Sequence, residues 1–130
     1  MQPAEAASKS ATRGTRPAID WKVANERLPG GAAERSELTA LLKTETRTQL
    51  ADMHRAIEMQ DFKLLRRSAH TMKGCAVCFG AEPLAQAALA LENLGRRESF
   101  DGTSEMLATL EKELAQVLAA LDVGPVDSTF

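Results

Sequence analysis

The sequence predicts an all-α protein, an antiparallel up-down four-helix bundle with a short extra N-terminal helix. Three observations predict it. Apolar residues recur at three- and four-residue spacing in successive long segments, and nowhere do they alternate in the manner of a strand. Short breaks bearing glycine or proline separate those segments, which makes neighbouring helices antiparallel. Aromatics are only 4% of the residues, and alanine and leucine dominate the apolar 44%, a composition suited to close helix packing.

A chain of 130 residues is long enough to bury one core, so a single domain is expected over residues 18–121. Residues 1–17 offer almost nothing to bury and read as a disordered linker or tail. Asp20 is placed to cap a short helix running to Leu28, with Trp21 and Leu28 as its apolar contacts, and Pro29-Gly30-Gly31 stops it. A long helix is predicted from about Ala33 to Gln60, with Leu38, Leu42, Leu50, Met53 and Ile57 as its seam. Thr44, Thr46 and Thr48 weaken its middle slightly.

Asp61 caps the next predicted helix, Phe62 to Phe79, which Gly80 ends. Pro83 suits the first turn of the helix that follows, whose seam is Leu84, Ala87, Ala88, Leu91 and Leu94. Gly95 and the Arg96-Arg97 pair mark its C-terminal end, where positive charge complements the helix dipole. After Asp101-Gly102 a last helix reaches about Leu121 on Leu107, Leu110, Leu114, Val117 and Leu121. Residues 122–130 form a polar tail broken by Gly124-Pro125.

Bulk properties exclude several classes. A net charge of −2 and a pI near 5.7 give no global reason to bind nucleic acid or an anionic membrane. No segment approaches the roughly 20 apolar residues that span a bilayer, and Met1 to Arg16 lack the apolar middle of a signal peptide. With two cysteines there is no disulfide framework, so a reducing cytoplasmic setting and no direct membrane contact are expected. No G-x-x-x-x-G-K or G-x-G-x-x-G loop is present, so no nucleotide-binding site is expected.

The helix from Phe62 to Phe79 carries the most information. At about 100° per residue, Phe62, Leu65, Ala69, Met72, Ala76 and Phe79 stack into one apolar seam, beside a strip of Leu64, Ser68, Thr71, Cys75 and Cys78. The remaining arc holds Lys63, Arg66, Arg67, His70, Lys73, Gly74 and Val77. A histidine is therefore predicted on the exposed face, among four cations and no acid. One turn further on lies a mid-helix glycine, which costs about 1 kcal/mol relative to alanine. Neighbouring cations favour a neutral, nucleophilic imidazole and would stabilise phosphoryl oxygens placed upon it. A bare imidazole, a lysine one turn away and a patch cleared of side chain make a docking and phosphate-handling face.

Two other features carry no function. Cys75-Ala-Val-Cys78 points away from His70, has no second pair to complete a zinc site, and lies near a helix C-terminus that raises thiol pKa. His54 falls on an outer flank without an evident partner.

The run Ala69-His70-Thr71-Met72-Lys73-Gly74-Cys75-Ala76, followed by Phe79-Gly80-Ala81, Leu84 and Leu91-Glu92, resembles the histidine-containing phosphotransfer (HPt) domain of multistep two-component relays. The likeness extends upstream to Ile19-Asp20-Trp21 and downstream through the last helix, over about residues 18–121. It implies that His70 accepts a phosphoryl group from a receiver-domain aspartate and passes it on, with Lys73 stabilising the phosphate. Glu92 matches a position that is often glutamine or glutamate and helps orient the imidazole. Lys63, Arg66, Arg67, Gly74 and Val77 would form the docking surface. The resemblance further implies that no cofactor is bound, the divalent cation being supplied by the partner. The partners expected are response-regulator receiver domains, with the chain a monomer, either freestanding or covalently part of a hybrid sensor kinase. The competing reading is a non-catalytic helical adaptor, which gives no reason for the cations and the glycine around His70.

Overall fold

The computed structural model describes residues 18–28 and 30–123 and contains five helices: α1 (Trp21–Arg27), α2 (Ala32–Met59), α3 (Phe62–Cys78), α4 (Glu82–Arg96) and α5 (Thr103–Val123). The expected architecture is present: α2 to α5 form the bundle and α1 lies over one end of it against α3. Among the described residues there is no strand. The expected N-terminal tail and Pro29 fall outside the described residues, as does the C-terminal tail beyond Val123; α5 itself runs two residues further than the periodicity predicts.

Local chemistry accounts for the boundaries. Asp20 Oδ1 accepts from the backbone N–H groups of Lys22 and Val23, and Asp61 Oδ1 accepts from that of Leu64. Glu34 Oε1 accepts from the Gly31 N–H at the head of α2. Gly80 turns the chain from α3 into α4 at φ +62°, and its carbonyl accepts from the Asp20 N–H, tying α1 to that turn. At the other end, the ring of Phe100 stacks on Phe62 with centroids 4.3 Å apart, which fixes the α4–α5 connection against the head of α3.

The core fills largely as the seams predict, although Phe62 and Ala87 are only half-buried. Leu65, Ala69, Met72 and Ala76 from α3, with Phe79 just past its end, are buried against Leu84, Ala88, Leu91 and Leu94 from α4, with Leu107, Leu110, Leu114 and Val117 closing it from α5. Full burial of one such leucine contributes about 2 kcal/mol. The α3–α4 pair is the closest in the bundle, because alanines face each other there and Gly95 lies directly on α3. A Cβ at Gly95 would come within 2.8 Å of the Arg66 backbone nitrogen. Gly95, expected only to mark the end of this helix, is a buried contact within α4. The seam of α2 is covered less fully. Met53 and Ala56 are buried, but Leu38, Leu42, Leu50 and Ile57 are only half-buried because α2 meets α5 sparingly.

Candidate functional site

His70 projects from the middle of α3, with its side chain 65% exposed. The apolar seam holds the opposite face of the helix in the core, and that anchoring sends Lys63, Arg66, Arg67, His70, Gly74 and Val77 outward together. Lys73 lies on the same side but is half-buried. A Cβ added at Gly74 would meet nothing within 4 Å, so no neighbouring helix requires a glycine there.

The expectation of a face without an acid is corrected by α4. Glu92 lies across the α3–α4 interface from His70, and its side chain is only 4% exposed. Glu92 Oε2 accepts from His70 Nδ1 at 3.0 Å and from Arg96 Nη2 at 2.9 Å. Lys73 Nζ stands 3.0 Å from Glu92 Oε1, a close charge contact off the hydrogen-bond direction that leaves Oε1 without a hydrogen bond. Lys73 is thus held on a carboxylate rather than free beside the imidazole. Burial pushes the Glu92 carboxyl up, but contact with Lys73 and His70 outweighs it and holds the group below its ordinary value.

An ionised carboxylate only accepts, so the His70–Glu92 bond assigns the ring proton to Nδ1. Nε2 then carries a free lone pair directed away from Glu92. Among the described residues no hydrogen bond or ion pair reaches it. Beside it, Lys63, Arg66, Arg67, His70, Glu92 and Arg96 line an open cleft of about 300 Å³. The arrangement can present a nucleophilic nitrogen to an electrophile, with cations on several sides to receive negative charge.

Arg96 is the participant that the sequence reading missed, having assigned it to the helix dipole. Its spacing from Glu92 was a usable signal, since Glu and Arg four residues apart pair on one helix face. Gly95 helps place it, because its contact with Arg66 draws the end of α4 onto α3.

The cysteines stand apart, as expected, though for a different leading reason. Burial, with smaller contributions from Glu45 and Cys78, pushes the Cys75 thiol up to about 11, which leaves it protonated and unreactive. His54 does have a partner: its Nε2 lies 2.7 Å from Glu111 Oε2 and links α2 to α5 on another side of the bundle. Among the described residues no group of three or more His, Cys, Asp or Glu side chains could hold a metal ion. Nor is any described helix long and apolar enough to cross a membrane.

Comparison with known proteins agrees with this fold. The family model described as the Hpt domain matches residues 37–120. The crystal structure of histidine-containing phosphotransfer protein B (HptB) from Pseudomonas aeruginosa PAO1 is similar at a TM-score of 0.73 and 25% identity, covering 79% of this chain and 90% of that one. No curated protein sequence matches the chain.

Proposed function

The chain belongs to the Hpt domain family, and on that premise we propose that it accepts a phosphoryl group on His70 Nε2 from a receiver-domain aspartate and hands it to another receiver. The observation that carries the proposal is the His70–Glu92 bond, which protonates Nδ1 and leaves Nε2 bare on an exposed helix face. In the acceptance step the Nε2 lone pair attacks phosphorus, an N–P bond forms, and the aspartyl O–P bond breaks with its electron pair returning to the carboxylate. Lys73, three residues beyond His70 on α3, contacts the incoming phosphoryl oxygens once it releases Glu92. The partner supplies the aspartate and the divalent cation, and this chain supplies the imidazole, the cations and the docking face. The carrier acts in the cytoplasm, either freestanding or as a module of a hybrid sensor kinase. Incubation with phosphorylated receiver domains tests it: acid-labile phosphate should appear on the chain, and its absence with every receiver tried contradicts the reading.

Docking falls on Lys63, Arg66, Arg67, Gly74 and Val77, all of them exposed around His70. Gly74→Gln separates docking from folding. The glutamine side chain enters open space, so helix propensity should stabilise the bundle by up to about 1 kcal/mol. The same side chain stands where a receiver must approach the imidazole, so transfer should fall while the melting temperature holds or rises. Stability gained with transfer untouched would move the docking face away from Gly74.

A further inference from the structure

Resting on His70 as the acceptor, we propose that the negative charge of Glu92 sets how readily the phosphorylated histidine gives up its phosphoryl group, making the site a donor rather than a store, and that Arg96 moderates that charge. Three side chains converge on this one buried carboxylate. His70 Nδ1 and Arg96 Nη2 share Oε2 at 3.0 and 2.9 Å, and Lys73 Nζ sits 3.0 Å from Oε1. An orienting role needs only an acceptor oxygen facing Nδ1, which a neutral amide would supply equally well. A full charge does more.

The chemistry follows from where the ring proton is held. Attack by Nε2 leaves an N-phosphoimidazolium whose remaining proton is on Nδ1. Onward transfer breaks the N–P bond and returns its electron pair to Nε2. With Nδ1 still protonated the ring departs as neutral imidazole, whereas without that proton it must depart as imidazolide, a far poorer leaving group. A buried carboxylate against Nδ1 keeps the proton in place and so favours departure. The same carboxylate competes for Lys73 and Arg96, the two cations that would otherwise neutralise the phosphoryl oxygens. Both effects push the group off. Arg96 acts oppositely, because its guanidinium on Oε2 offsets part of the charge that the ring experiences.

Two variants therefore move in opposite directions. Glu92→Gln retains an acceptor for Nδ1 but removes the charge and releases both cations, so the phosphohistidine should last roughly tenfold longer. Arg96→Gln exposes the ring to more of the carboxylate charge, with Lys73 still on Oε1, and should shorten the lifetime roughly threefold. Lys63, Arg66 and Arg67 are the same in both. Loss of a structural prop would not lengthen one lifetime and shorten the other.

The full chain and each variant are phosphorylated with phosphoramidate, whose P–N bond breaks as Nε2 attacks and whose protonated nitrogen leaves as ammonia. After removal of the donor, phosphorus NMR at mildly alkaline pH follows the loss of acid-labile phosphate. A longer lifetime in Glu92→Gln with a shorter one in Arg96→Gln is the expected result. Labelling with both lifetimes unchanged, or shifted the same way, overturns the proposal while leaving His70 as acceptor. A native chain that takes no phosphate overturns the acceptor reading and this proposal with it. Should Glu92→Gln fail to fold, Arg96→Gln decides, since its side chain is 54% exposed: a lifetime unchanged or lengthened overturns the proposal.

Discussion

Replacing His70 with glutamine should abolish phosphoryl acceptance and leave the fold intact. The imidazole is mostly exposed and fills no core volume, so the expected change in stability is within about 0.5 kcal/mol. Glutamine can still donate to Glu92, which spares that carboxylate from losing a partner, but it offers no nitrogen lone pair to attack phosphorus. Phosphate counting after incubation with a phosphorylated receiver, paired with a melting curve, checks both halves. Residual acid-labile phosphate on the variant would shift attention to His54. That histidine is poorly placed for the task, because it pairs with Glu111 on another side of the bundle, away from the cations that surround His70.

The largest stability effect is expected at Gly95. Even a methyl group there would lie 2.8 Å from the Arg66 nitrogen and 3.0 Å from its Cα. Those are backbone atoms, so relief requires α3 and α4 to separate rather than a side chain to rotate. Gly95→Leu should therefore cost about 3 kcal/mol or more, despite the gain in helix propensity. That corresponds to a fall of at least about 10 °C in melting temperature for a domain of this size. Separation of the helices would also draw Glu92 and Arg96 away from His70. A melting temperature equal to that of the native chain would show that the two helices are not in close contact at this point. Gly74 supplies the internal control, being a helical glycine with open space where Gly95 has a neighbour's backbone.

The facing of each glycine follows from the periodicity of its own helix, whereas contacts between helices do not. Periodicity within α3 placed His70, Gly74 and the surrounding cations outward and Leu65, Ala69, Met72 and Ala76 inward, because one helix's geometry fixes which residues share a face. The caps at Asp20 and Asp61 were legible for the same reason, being set by chemistry within three residues. What one helix presents to another depends on the register between them, and no single-helix pattern contains it. The resemblance to a family pointed to Glu92, but its burial and its capture of Lys73 required the α3–α4 pairing. His54 and Glu111, fifty-seven residues apart, are a second case. Gly95 was within reach of sequence reasoning: it continues the seam of Leu84, Ala88 and Leu91 at alternating four- and three-residue steps, which marks a core contact rather than a terminus.

Leu38, Leu42 and Leu50 diverge in the other direction. Their spacing suits a core seam, yet they are only half-buried, since burial depends on how much of α5 lies opposite α2. An apolar pattern gives the direction in which a helix packs and not the completeness of its cover.

The most direct test of the account is to locate the phosphoryl group on the chain after transfer from a phosphorylated receiver domain. Heteronuclear NMR distinguishes the two imidazole nitrogens and the two histidines. With Glu92 holding the Nδ1 proton, the account predicts a single phosphohistidine, at His70, substituted on Nε2. Phosphate on His70 Nδ1, or on His54, would contradict it.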